Sequence, residues 1–258
     1  MKRLCILGVL VALASFTSLS WATISQKGNV RVKVDGKLEP ARLPRTAVAP
    51  IAVTVDGAIT TTDQSLVPRL DSLSVALNRH GRIDYQGLPS CRYDQIQPGT
   101  SSHALAACRP SLVGSGSFTA AVTLSGQQPY PTKGKLLVFY GRRAGKPVLY
   151  GHLYAPHPFA SSFIIVFKLS TLPGGTYGTV LDAKLPAALG AWGRLTGLDM
   201  TLSRRYRSGG QQRSFISSGC PAPEGFPAIT FPLARTTFDF AGGLSFSSVL
   251  TRSCKAEG

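Results

Sequence analysis

Thr236-Thr-Phe-Asp-Phe-Ala-Gly-Gly-Leu-Ser-Phe-Ser-Ser248 is the stretch whose reading decides the fold. Ala241-Gly242-Gly243 reads as a three-residue hairpin loop, because glycine supplies the positive φ that such a loop needs. Pairing across it sets Phe240 opposite Leu244 and Phe238 opposite Phe246. The apolar side chains then share one face as cross-strand pairs, each contributing about 0.2–1 kcal/mol. A two-residue loop would set the phenylalanines against Ser247 and Ser245, so the loop length selects the buried face. Further back, the apolar phase shifts to Ile229, Phe231 and Leu233. A bulge near Ala234-Arg235 reconciles the two phases, and Pro232 asks for an edge or an unpaired position. In this register Cys254 faces about residue 230, and Cys220 reaches it from the stiff loop holding Pro221, Pro223 and Pro227.

Moving outward, the chain opens Met-Lys-Arg, runs apolar from Leu4 to about Phe16 and reaches Ser20-Trp21-Ala22. That is the pattern of a secretory leader, residues 1–22, cut after Ala22. Cys5 leaves with it. The four remaining cysteines, Cys91, Cys108, Cys220 and Cys254, are an even set in an exported chain, and the sequence-local pairing Cys91–Cys108 with Cys220–Cys254 is the expected one of three. No C-x-x-C or clustered histidines accompany them, so neither a metal nor a cofactor is expected. No later apolar run is long enough to span a bilayer as a helix. The 258 residues carry 28 Lys and Arg against 12 Asp and Glu, a net charge of +16. Loss of Lys2 and Arg3 with the leader still leaves +14, concentrated in the second half. Such a balance attracts anionic envelope polymers, acidic lipid or nucleic acid, without specificity for the last.

In chain order, Gly28–Val34 alternates as a strand. Ile51, Val53 and Val55 lead to Asp56-Gly57, a turn signal, with Ile59 on the return. Leu73, Val75 and Leu77 precede a turn at residues 78–81. Ser101 or Ser102 caps a short helix through Cys108, ended by Pro110. Gly114-Ser-Gly116-Ser117 lacks both the dinucleotide-loop and the hydrolase-elbow order and reads as a loop entering the strand of Ala120, Val122 and Leu124. The second half reads as successive hairpins: Leu136–Tyr140 with Val148–Tyr154, Phe163–Leu169 with Thr176–Leu185, Leu198–Tyr206 with Arg213–Ser218, and the closing pair. Short turns and period-two patterning predict an all-β, antiparallel sandwich or partly closed barrel.

Leu70-x-x-Leu73-x-Val75-x-Leu77-x-Arg79-His80 recurs at an offset of 125 residues as Leu195-x-x-Leu198-x-Met200-x-Leu202-x-Arg204-Arg205. This predicts two related β modules, residues 23–126 and 133–258, joined by a linker at 127–132. The signatures Asn78-Arg-His-Gly-Arg-Ile-Asp84, Leu112-Val-Gly-Ser-Gly116, Gly219-Cys-Pro-Ala-Pro223 and Leu250-Thr-Arg-Ser-Cys254 resemble a group of exported actinobacterial proteins of unknown function. That resemblance implies export and a shared architecture, and no activity.

Candidate chemistry is thin. His152 and His157 flank Pro156 without a third ligand. Asp56 and Asp63 read as turn residues; Asp182, Asp199 and Asp239 fall on strands, where an acid/base pair is weighed against outward solvated positions. A non-enzymatic protein is expected. The feature above background is basic turns. If the second half is an up-and-down meander, alternate turns among 141–146, 173–175, 208–210 and 241–243 share one end. Arg142, Arg143, Lys146, Arg204, Arg205, Arg207 and Arg213, with Tyr140, Tyr150 and Tyr206 nearby, would then form a cationic rim suited to phosphate or carboxylate polymers. The expectation is a secreted or extracytoplasmic envelope protein that binds an anionic polymer there. The alternative is a carrier with an apolar cavity lined by Phe163, Ile165, Phe167, Met200 and Phe238.

Overall fold

The computed structural model describes residues 22–257; the leader expected at residues 1–22 therefore lies almost wholly outside the described chain. Eighteen strands are present among the described residues. The first seven are β1 (Thr23–Lys27), β2 (Val30–Glu39), β3 (Arg42–Pro44), β4 (Ala49–Pro50), β5 (Ala52–Thr61), β6 (Leu70–Asn78) and β7 (Gly81–Ile83). Two short helices follow, α1 (Tyr93–Ile96) and α2 (Ser101–Cys108), then β8 (Leu112–Val122), β9 (Tyr130–Arg143), β10 (Lys146–Ala155), β11 (Ser161–Thr171) and β12 (Tyr177–Lys184). Helix α3 (Ala187–Trp192) precedes β13 (Gly193–Leu202), β14 (Arg205–Ser208), β15 (Gln211–Ser214), β16 (Ile216–Ser218), β17 (Ala228–Phe240) and β18 (Ser245–Glu257).

Thirteen strands form one sheet in the order β1-β2-β5-β13-β8-β9-β10-β11-β12-β6-β17-β18-β3, antiparallel except where β3 joins β18. The closing hairpin has the expected register. Phe238 pairs with Phe246, Phe240 N donates to Leu244 O at 2.8 Å, and Gly242 and Gly243 hold φ of +83° and +80°. The register shift falls between Pro232 and Ala234. Pro232 lies beyond the last β6 partner, so no ladder bond is lost there. Cys254 pairs with Ile229, and both expected disulfides are formed.

The sheet curls until its ends meet, giving a partly closed barrel. Side chains, not a backbone ladder, join the seam. Thr23 Oγ1 donates to Val249 O at 3.1 Å, and Lys27 Nζ to Ser245 O at 2.8 Å. Arg252, buried, pairs with Asp35 and donates to Gly36 O. Inside, alternate residues of β8 to β12 (Phe118, Val138, Leu149 and Ile165 among them) make the main core. A second cluster, where Phe238, Phe240 and Phe246 stack at 5.9–6.5 Å between centroids, joins β17 and β18 to Val30, Val32 and Val34 of β2. Strand β9 is buried on both faces, which explains its unbroken apolar run. Leu136, Val138 and Tyr140 point inward, while Leu137 and Phe139 lie under Ile96 and Ala104 of the α1–α2 segment, stapled by Cys91–Cys108.

Several expectations are corrected. Asp56-Gly57 is not a turn: Gly57 has no positive φ and pairs with Val34 on one side and Leu198 on the other, so Val53 to Ile59 keep one phase through a single strand. Gly114 to Ser117 is not a loop but the middle of β8. The glycines there let β13 approach, since a Cβ on Gly116 would sit 1.9 Å from Asp199 O. Thr100, rather than Ser101 or Ser102, caps α2, accepting from His103 N. The second half is not a simple meander. Strand β6 is inserted between β12 and β17, and β13 lies between β5 and β8. Residues 205–214 form their own hairpin, and Ile216–Ser218 pairs with β4 and β7. Strands from both sides of residues 127–132 thus share one sheet and one core. The segments related by the 125-residue offset are β6 and β13; β6 lies between two strands of the second half, and β13 between two strands of the first.

Candidate functional site

Strand direction decides what meets at each end. Strand β9 rises to Arg143, and this end is called upper. Strand β13 pairs antiparallel with β8, and β8 with β9, so β13 also rises, delivering the 203–214 segment to the upper end. By the same alternation β11 rises to the 172–176 turn and β6 to the turn at Arg79–Arg82. Turns 141–146, 173–175 and 208–210 therefore share one end. The 241–243 turn joins the lower ends of β17 and β18 and is removed from the expected set.

The basic residues named from sequence are not equivalent. Arg142, Arg143 and Lys146 are exposed around the Ala144-Gly145 turn, whose φ values are both positive. Arg205 and Arg207 are exposed on β14. Among the described residues none of these five has a carboxylate partner. Arg204 turns toward Pro110 O at 3.5 Å and keeps a buried Nε without a partner. Arg213 is spent on structure, paired with Asp84 at 2.8 Å with both side chains about three-quarters buried.

The tyrosines belong to the scaffold rather than to a ligand surface. Tyr140 is buried and stacks on Tyr85 at 5.2 Å. Tyr150 donates to Arg142 O at 3.1 Å, bracing the turn that carries Arg143. Tyr206 donates to Asp84 O and Gln86 O. Burial raises all three phenols above their ordinary value, so their hydroxyls stay neutral donors.

A feature that the sequence reading passed over lies on the same end. Loop 45–48, the 79–82 turn and residues Thr171, Gly178 and Thr179 enclose a groove of about 610 Å³. Arg45, Arg79, His80 and Arg82 line it, and no carboxylate does. Arg45 is fixed by donating to Ala222 O, Pro223 O and Phe226 O. Arg79 and His80 belong to the repeat and to the Asn78–Asp84 signature; the sequence signal for the groove is three basic residues within four positions, Arg79-His-Gly-Arg82. With them, cations from both halves of the chain meet at the upper end.

The remaining candidates separate. Asp182 and Asp239 line one outer groove of about 570 Å³, with Ser72, Ser74, Lys168 and Lys184. Ser245 and Ser72 both donate to Asp239 and hold its carboxyl below the usual range, the opposite of what a general acid needs. Asp199 is elsewhere, in the row Asp35–Asp56–Asp199. His152 is buried under α2 with Nε2 3.0 Å from Gly99 O, and His157 lies in an exposed loop, so they do not converge. Among the described residues no cluster of His, Cys, Asp or Glu could hold a metal. Phe163, Ile165, Phe167 and Met200 pack into the main core, Phe163 against Trp192 at 5.3 Å, whereas Phe238 belongs to the second cluster. They do not line one common cavity. No helix among the described residues is long and apolar enough to cross a membrane.

Comparison with family models, with curated proteins and with solved structures returns no match.

Proposed function

We propose that this chain is an exported, non-enzymatic protein of the cell envelope that holds an anionic polymer against the upper end of its barrel. One observation carries the reading: exposed arginines and a lysine from segments as distant as Arg79, Arg143 and Arg207 arrive at the same end, and most have no carboxylate partner. Arginine suits this work because its planar fork offers paired donors to phosphate, sulfate or carboxylate. Two disulfides support an oxidising compartment. The low carboxyl of Asp239 and the separation of Asp199 from Asp182 speak against acid/base hydrolysis.

The test is retention on an immobilised sulfated or phosphorylated polymer across a salt gradient. The variant Arg142→Ser, Arg143→Ser, Arg205→Ser, Arg207→Ser keeps Arg213 and the scaffold intact. It is expected to elute at much lower salt, because each released counterion steepens the salt dependence. Elution of the variant with the parent chain removes the reading.

A further inference from the structure

The groove lined by Arg79, His80 and Arg82 is ringed by apolar side chains that face water. Phe226 is 61% exposed, Val48 47% and Leu172 38%. Each sits on a separate projection of the upper end. Val48 lines the groove itself. Leu172 N donates to Gly178 O, which places Leu172 at the groove's edge. Phe226 crowns the loop that Arg45 grips through three carbonyls, so its position is held by the same arginine that lines the groove. Glu224 is the one carboxylate of that loop. None of the three belongs to a core cluster, and each leaves more than a third of its surface in water.

We infer that this groove docks the protein on an anionic lipid surface, with Phe226, Val48 and Leu172 entering the headgroup layer and Arg79, His80 and Arg82 meeting lipid phosphates. The inference rests on the reading of the upper end as a cationic binding end and names the surface it meets. Cations draw the end to a negatively charged leaflet, and apolar tips then gain the contact that diffuse charge attraction lacks. A hydrated anionic glycan satisfies the arginines equally well. It offers no shared apolar layer for side chains on three separate projections, and so leaves them unexplained.

The test uses the mature full-length chain and flotation with phosphatidylcholine vesicles, with and without phosphatidylglycerol. Co-flotation is expected only with the anionic vesicles and is expected to weaken with salt. Arg79→Ser with Arg82→Ser should lower partitioning roughly 30-fold, about fivefold per arginine. Phe226→Ser should lower it about tenfold while leaving retention on the anionic polymer unchanged. Phe226→Trp should give a blue-shifted emission on anionic vesicles; Trp192, the other tryptophan of the mature chain, is buried. Thermal melts check that each variant is folded. Retention on polymer without flotation, or flotation of Phe226→Ser equal to the parent, overturns lipid docking and leaves a glycan as the occupant. Binding to neither removes the docking and the cationic-end reading together.

Discussion

Replacing Cys220 and Cys254 together by alanine tests how the upper end is held. The two cysteines are 34 residues apart and both are buried, at the top of β18 and the mouth of the loop that carries Phe226. On the chain-entropy relation, opening a loop of this size releases the unfolded chain by about 4 kcal/mol, against about 3 kcal/mol for the 17-residue separation of Cys91 and Cys108. For a domain of this size each kcal/mol moves the melting midpoint by about 2–4 °C, so the first double variant should melt about 8–16 °C lower. Most of the effect lies in the unfolded state. The urea midpoint should therefore fall while the slope of stability against urea rises, as the unlinked chain exposes more surface. Equilibrium urea and thermal unfolding followed by far-UV circular dichroism reads both quantities. A loss under about 1 kcal/mol with an unchanged slope would refute the loop-closure argument and place the stability of this end in the β4–β16–β7 strands instead.

His152 is buried, its pKa pushed below the ordinary value chiefly by desolvation, and its Nδ1 has no partner. Because the unfolded chain binds the proton more tightly, stability is complete above pH 6.5 and falls as pH drops below it; urea midpoints at pH 7 and pH 5 should show this, and His152→Gln should flatten that limb. Gly116→Ala places a Cβ where Asp199 O and the β13 backbone already stand, and should cost at least about 3 kcal/mol, or prevent folding, as measured by soluble yield and melting. A double-mutant cycle on Arg213→Met and Asp84→Asn should return a coupling of about 1–2 kcal/mol, since the pair is mostly but not wholly shielded from water; a coupling near zero would mean that the hairpin β14–β15 is held by Tyr206 and the Asp84–Phe215 backbone bond instead.

Local rules were dependable where one local interaction dominates. The 241–243 loop, the bulge after Pro232 and the turn at Ala144-Gly145 each depend on a few neighbouring residues, and all stand where the patterning puts them. The same rules misread Asp56-Gly57 and the glycines of β8. A glycine in sequence announces freedom, but whether it serves a turn or makes room for a neighbouring strand depends on a partner far along the chain. At Gly116 that partner is Asp199.

The cationic end divides in the same way. Its individual arginines, its solubilising charge and its basic hairpin at 141–146 are legible in the chain. Arg213 looks like its neighbours in sequence, yet only contact with Asp84 withdraws it from the surface.

What the sequence determined by itself was the period-two patterning, the tight turns at 144–145 and 241–243 and the sequence-local disulfides, because these follow from backbone geometry and short loop closure. What only tertiary structure decided was the order of strands around the sheet, and with it which turns share an end. Insertion of β6 between β12 and β17 and of β13 between β5 and β8 is set by long-range burial of both faces, an energy that no window of neighbouring residues contains. That insertion is what brings Arg79 and Arg82 to the same end as Arg143 and Arg207.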